Sequence, residues 1–417
     1  MRRVLIVFLV ALLVPVYSAV YIEVPDYWSG IASAGVQDVI NGRYGDVIFA
    51  TDSGISVYTA NGTWYSVNAR HPGETAYGWI SPQSDMVSAL ALDSFGHLWI
   101  GYPNGLQFQT RTGYESIQDQ HLLKNLGINC MVRWEDDVWI ATGRAGLHRY
   151  HGGNWTWYKP GGPENPGCYT IVSMAVDAAS DALVIGSERD GVWVLRDRVG
   201  ETRFEPVVYA EGWDLDDSSC VAVDTAGDTV VTDGDLVRGI SEVRADPFGG
   251  VYLFNSTVVL RYIPGTGATP VVYARDLGAF PVVINDIAAT PDGRLLIASD
   301  NGIYGWEESR VVMHVMSGDG IRSNVVKRLF VDAYGRCWFV VPGNVGYLPP
   351  MTDSPSLDLK PVEMPDVPAT APAIELPAPE ETPEAIEGIW AVLLEWFGRI
   401  GGFFWGAFPG LCPGPGS

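Results

Sequence analysis

Val87-Ser-Ala-Leu-Ala-Leu-Asp93-Ser-Phe-Gly96-His-Leu-Trp99-Ile-Gly101, resumed at Asn104-Gly105-Leu-Gln-Phe108, is the stretch that decides the fold. A short apolar segment enters an acidic turn containing glycine, an aromatic and aliphatic segment runs back, and Asn-Gly reverses the chain again. Two-residue hairpins need positive φ, which glycine adopts without Cβ strain. Val326-Lys-Arg-Leu-Phe-Val-Asp332-Ala-Tyr-Gly335-Arg-Cys-Trp338-Phe repeats the first half, and weaker copies centre on Gly45, Asp137, Asp181, Gly249 and Gly293. Ser53-Gly54, Ala145-Gly146, Asp190-Gly191 and Asn301-Gly302 stand where a second strand must reverse into a third. Four short strands recurring every ~40–50 residues predict the blades of a β-propeller.

One wider gap, between Asp181 and Gly249, holds a partial copy, Cys220-Val-Ala-Val-Asp224-Thr-Ala-Gly227. Its turn lies too close to Gly249 to leave room for four strands of ~5 residues. Residues 210–238 therefore read as an inserted hairpin and the count as seven blades, with a deformed eighth as the alternative. The last unit supplies three strands before Pro349-Pro350, while Ala19-Val-Tyr-Ile-Glu-Val24 resembles the outer strand of other units, such as Thr63-Trp-Tyr-Ser-Val67. Pairing the two predicts an all-β ring over residues 20–349, closed by the N-terminal strand and free of open edges.

The 417 residues include 49 Asp and Glu against 26 Lys and Arg, a net charge of −23. That sign argues against nucleic acid as a partner. A hydrophobic content of 47% with 48 Gly and 28 Pro excludes wholesale disorder and suits turn-rich β structure. Met1-Arg2-Arg3, the apolar run Val4 to Val16 and the small Ser18 and Ala19 read as a signal peptide over residues 1–19. The run falls short of the ~20 residues of a membrane span, so an exported product, periplasmic or extracellular, is expected. Five cysteines show no CxxC or Cys/His ligand spacing, so no zinc site is expected. Cys168 with Cys220 is the pair that export would allow to bridge, whereas Cys130 and Cys337 fall in predicted strands as buried hydrophobes. Asp52, Asp292 and Asp300 lack EF-hand spacing and are read as turn-forming rather than as calcium ligands. No cofactor is expected.

Residues 351–385, rich in Pro, Ala and Glu, predict an extended acidic linker. Residues 386–408 gather Trp390, Leu393, Trp396, Phe397, Phe404 and Trp405 among their apolar positions, with Glu387, Glu395, Arg399, Gly398, Gly402 and Gly406 on the remaining stripe. An amphipathic aromatic helix is expected there, ahead of a Pro/Gly tail over 409–417. Three readings stay open for it: contact with a membrane surface, self-association, or packing on the ring.

Asp-x-x-Gly-x-Leu-Trp-Ile-Gly followed by Asn-Gly-Leu, carried best from Asp93 to Phe108 and partly by Trp139-Ile-Ala-Thr142-Gly143-Arg-Ala-Gly146-Leu147, resembles the two-component regulator propeller repeat. The likeness covers roughly residues 20–349. In that family the ring is commonly the periplasmic sensor of a membrane histidine kinase, so the resemblance implies a ligand-binding ring, here without an attached kinase.

The six histidines are scattered, no Gly-x-Ser-x-Gly elbow or phosphate loop is present, and sialidase-type Asp boxes are absent. A non-catalytic ring that binds a glycan, a peptide or a protein is therefore expected. An envelope scaffold is the alternative, and a propeller lyase or hydrolase a third reading. Loops that join an outer strand to the next inner strand gather on one face, and they hold Trp28, His71, Tyr77, Trp79, His121, Trp213, Arg275 and Arg322 as rim candidates. Asp85, Asn129, Asn285 and Asn324, at the starts of inner strands, are candidates to line the channel. Trp64, Trp99, Trp139, Trp155, Trp193 and Trp338 are assigned to packing between blades.

Overall fold

The computed structural model describes residues 20–22, 30–110, 113–117, 126–159, 170–187, 190–198, 201–210, 237, 239–278 and 281–350. Among these, the chain forms seven four-stranded antiparallel sheets and one small hairpin. Blades 1 to 7 begin with Val36–Asn41, Ala89–Leu92, Ile128–Trp134, Ser173–Asp177, Glu242–Ala245, Ile284–Ala289 and Arg328–Val331. These first strands touch their counterparts in successive blades and so surround the axis, with the later strands of each blade following outward. Blade 7 takes its outer strand from the other end of the chain: Val20–Ile22 pairs with Asn344–Leu348, Val20 lying opposite Tyr347. The expected seven-bladed ring closed by an N-terminal strand is thus the observed one.

Six of the seven second strands, among them Val47–Thr51, Leu98–Tyr102 and Cys337–Val341, are buried at every residue. A strand covered on both faces by neighbouring sheets loses the apolar/polar alternation of a half-exposed one, which explains the continuous apolar runs in the sequence. The described core separates into seven clusters, one in each seam between adjacent blades. Glycine is required where second strands reverse. Gly54 and Gly302 have φ of 123° and 100°, and a Cβ on either would meet a strand carbonyl oxygen at 2.3 Å.

No described sheet lies between Glu201–Pro206 and Glu242–Ala245, the outer strand of blade 4 and the inner strand of blade 5. The inserted hairpin expected over 210–238 falls almost wholly outside the described residues. So do the leader, Cys168, Cys220, the linker, the aromatic helix and the tail.

The hairpin Gly73–Thr75 with Gly78–Ile80 follows the outer strand of blade 1. Instead of staying on that face, it descends between blades 1 and 2. At its tip the Tyr77 hydroxyl donates to the Asp46 carboxylate at 2.8 and 3.0 Å and accepts the Arg43 N–H at 2.9 Å. Asp46 ends the turn after the inner strand, so the hairpin spans the height of the blade and closes the first seam as a wedge.

Candidate functional site

Register relates the axial residues of the seven blades. Asp38, Ala89, Cys130, Ser173, Glu242, Asp286 and Arg328 lie opposite Ala50, Gly101, Ala141, Gly186, Phe254, Ala298 and Val340, the same position in each second strand. They therefore form one layer around the axis. Three of them tie each blade to the next: Asp38 accepts the Leu90 N–H at 2.8 Å, Ser173 the Val243 N–H at 3.1 Å and Asp286 the Leu329 N–H at 3.0 Å. Glu242 pairs with Arg244 at 2.8 Å and Arg328 at 2.7 Å, and Arg244 reaches Asp286 at 3.1 Å.

Burial pushes the Asp38 carboxyl up against the pull of the Leu90 hydrogen bond and of Arg244, and it likewise raises Asp286. Burial would raise Glu242 too, but the Arg244 and Arg328 guanidinium groups outweigh it and hold that carboxyl low. The Cys130 thiol is driven up by burial and by the Asp38 and Glu242 charges, so it stays protonated and is a poor nucleophile. Each charged group of the layer is engaged by another blade, which makes the layer a set of ties.

The polar residues at the starts of the inner strands, or in the loops before them, are likewise engaged. The Asn129 amide donates to the Ile171 carbonyl at 2.7 Å and the Asn285 amide to the Val326 carbonyl at 2.8 Å, each crossing to the next blade. Asp85 accepts the Ala69 N–H at 3.0 Å and Asn324 the Ser317 N–H at 2.7 Å, anchoring the loops that lead in. Among the rim candidates, Tyr77 is only 2% exposed and is a wedge residue, because its hydroxyl found an acceptor in the seam. Trp79 is 57% exposed beside it. His71 and Arg275 are exposed, with the Arg275 guanidinium 4.5 Å from the Tyr273 ring centre. Arg322 donates to Asn344 Oδ1 at 2.6 Å. Trp28, His121 and Trp213 lie outside the described residues. The described candidates do not converge on one recess.

A recess does open on the opposite face, between blades 2 and 3. A cleft of about 380 Å3 is lined by Phe95, Trp99, Phe108 and Tyr150, with His97, Asp93 and Asp136 also in its wall. It exists because blade 3 turns from Trp134 to Asp137 through Glu135 and Asp136 alone, with Glu135 at φ 55°. In blades 1 and 6 a longer turn carries a glycine onto which the neighbouring blade packs: a Cβ on Gly45 would strike the Tyr334 hydroxyl, and one on Gly293 would touch Phe248. Phe95 meets no such partner and is 73% exposed.

The seam between blades 7 and 1 is built on the same plan. Asp93 and Asp332 open identical turns: Oδ1 of each accepts the N–H two and four residues on, at 2.8 to 2.9 Å. Trp99 stacks with Phe108 at 4.6 Å and meets Tyr150 at 4.9 Å and Trp155 at 6.1 Å. Trp338 meets Tyr347 at 4.8 Å, Tyr58 at 5.1 Å and Trp64 at 6.1 Å. The difference is the residue two before the tryptophan. Arg336 places its guanidinium 5.0 to 5.6 Å from the centres of Tyr334, Tyr58, Tyr347 and Trp338 and pairs with Asp332 at 2.5 Å. In blade 2 that position is His97, whose Nδ1 lies 3.0 Å from Asp93 Oδ2. Blade 5 also supplies a guanidinium to the equivalent carboxylate, Arg261 to Asp246 at 2.6 Å, while in blade 3 a carboxylate, Asp137, takes the place two before the tryptophan and pairs with Arg149 at 2.6 Å. Among the described residues blade 2 supplies none. The Trp99 indole N–H, whose counterpart on Trp338 donates to Asp332 at 2.8 Å, has no described partner.

No protein-family model matches the chain, and no curated protein matches its sequence. Solved structures do match. The extracellular domain of the putative one-component system BT4673 from B. thetaiotaomicron is 16% identical with a TM-score of 0.53, over 79% of this chain and 40% of that one. The likeness is one of fold. PorZ, a bacterial surface component of the type-IX secretion system of Porphyromonas gingivalis, is 12% identical with a TM-score of 0.56, over 78% of this chain and 48% of that one. A catalytically inactive virginiamycin B lyase from Staphylococcus aureus, solved with quinupristin, is 12% identical with a TM-score of 0.54, over 80% of this chain and 99% of that one. This chain spans less than half the length of the first two. A single ring architecture thus serves the extracellular domain of a putative one-component system, a secretion component and a lyase.

Proposed function

We propose that the chain is an exported, non-catalytic recognition propeller whose binding site is the aromatic cleft between blades 2 and 3. The observation that carries this reading is the contrast between the axis and the seam. At the axis the charged groups hold one another, and the thiol beside them is kept protonated by burial. At the seam, aromatic rings and carboxylates face a cleft that the sister seam fills from within. Export is supported by the basic and apolar leader, and by neighbours described as an extracellular domain and a surface component. A sensor role follows the resemblance of the repeat.

The test is an array of peptides and glycans probed with the leaderless chain, with Phe95→Ala and Asp136→Asn as cleft variants and Trp79→Ala, on the wedge hairpin, as a variant outside the cleft. Phe95, Asp136 and Trp79 are exposed, so all three variants should fold. Hits lost in both cleft variants and kept in Trp79→Ala support the reading. Hits lost only in Trp79→Ala would move the site to the wedge hairpin, and no cleft-dependent hit at all would remove the cleft.

A further inference from the structure

We infer that the cleft between blades 2 and 3 seats the guanidinium of an arginine side chain carried by a partner polypeptide. The inference rests on the recognition reading above and names its ligand chemistry. Its ground is the template inside the molecule. Five aromatic residues correspond pairwise between the two seams: Phe95 with Tyr334, Trp99 with Trp338, Phe108 with Tyr347, Tyr150 with Tyr58 and Trp155 with Trp64. The correspondence follows from register, since Trp99 pairs with Phe108 as Trp338 pairs with Tyr347, and Tyr150 with Trp155 as Tyr58 with Trp64. In the filled seam the occupant of this box is a guanidinium held against a carboxylate.

A planar, weakly hydrated cation suits that seat better than an ammonium. It stacks on ring faces while its N–H groups remain in plane to meet carboxylates. In the open seam the waiting acceptors are Asp93, already holding His97, and the exposed Asp136. Phe95 stands exposed at the margin. The chain's net charge of −23 adds attraction for a basic segment approaching from solution. A volume of about 380 Å3 is at the small end of ligand pockets and fits a side chain rather than a folded ligand.

The probe is a capped pentapeptide with arginine between glycines, titrated calorimetrically into the leaderless chain. The comparison peptide carries citrulline, which keeps the shape and loses the charge. The arginine peptide should bind about tenfold or more tightly than the citrulline peptide. His97→Arg completes the blade 7 frame in blade 2, so the chain should plug its own cleft. Arginine-peptide binding should fall at least tenfold while the melting temperature holds or rises. Phe95→Ala should weaken binding without unfolding the ring.

Equal binding of the two peptides, or undiminished binding to folded His97→Arg, would overturn the guanidinium seat. Binding that appears only after Arg111→Gln, just beyond the cleft-lining Thr110, would assign the seat to the chain's own arginine and overturn it too. If array hits depend on Phe95 while the arginine peptide fails, the recognition reading stands and this inference falls. If neither shows cleft-dependent binding, both fall.

Discussion

Replacing Tyr77 by Phe removes one oxygen from the tip of the wedge hairpin and leaves the buried Asp46 carboxylate without its side-chain donor. Both Tyr77 and Asp46 are almost wholly buried, so water cannot take the place of the hydroxyl without opening the seam. A hydrogen bond to a charged group contributes about 1.5–3 kcal/mol, against about 0.5–1.5 kcal/mol for a neutral pair. The loss at pH 7.5 should therefore be about 2 kcal/mol, roughly half of it dependent on the Asp46 charge. Burial already raises the Asp46 carboxyl above its ordinary 3.8, and the Tyr77 hydroxyl pulls it back. A carboxyl raised by folding gives stability that is full below its unfolded value and is lost as pH rises through its folded value. Without Tyr77 the folded value climbs further, so the penalty of the substitution should widen from acid to neutral pH. Urea unfolding of Tyr77→Phe in the wild-type and Asp46→Asn backgrounds isolates the charge-dependent part as a coupling of about 1 kcal/mol. A cost below about 0.5 kcal/mol, or an equal cost in both backgrounds, would refute the wedge as described.

Arg244→Met should cost about 2 kcal/mol, discounted from a fully buried pair because a third of the Arg244 side chain meets solvent. Glu242 is held low, so its contribution is present above its ordinary 4.5 and lost as pH falls through its folded value; pH-dependent melts should show that acid-side loss shrinking in the variant. Gly302→Ala should destabilise the ring by more than about 1 kcal/mol in urea, since the new Cβ meets the Val315 carbonyl at a φ that alanine disfavours. Deleting Val20–Ile22 should open the edge at Asn344–Leu348 and give aggregates in sedimentation, and an undisturbed monomer would count against closure by that strand.

The ring was legible because its evidence is local. Turn glycines, short apolar runs and a recurring period are properties of neighbouring residues, and they gave the blade count and its closure. The path of the segment after Val67 was not legible: Gly73 to Ile80 reads as an ordinary connection, and only the three-dimensional meeting of Tyr77 with Asp46 turns it into a wedge. From sequence Asn129 and Asn285 look like channel residues for a similar reason, since their acceptors lie in the next blade. The cleft stood half in view. The frames Asp93 to Trp99 and Asp332 to Trp338 were plain in the sequence, and so was His97 in place of Arg336. What the exchange means depends on Tyr58 and Tyr150, which neighbouring blades bring to the two tryptophans.

The meeting of Val20 with Tyr347 also fixes an order of events during folding. Every other blade can zip up from consecutive strands, but this one waits for both extremities of the ring. Joining ends about eight times farther apart than a single blade requires adds about 2 kcal/mol of chain entropy. The seam where that cost falls is the one bound by Phe49, Tyr58, Trp64, Trp338 and Tyr347 around Arg336. The latch is thus fastened by the chain's own cation, whereas the cleft available to a visitor lies between sheets adjacent in sequence. A guest can arrive and depart there without any bearing on whether the circle holds.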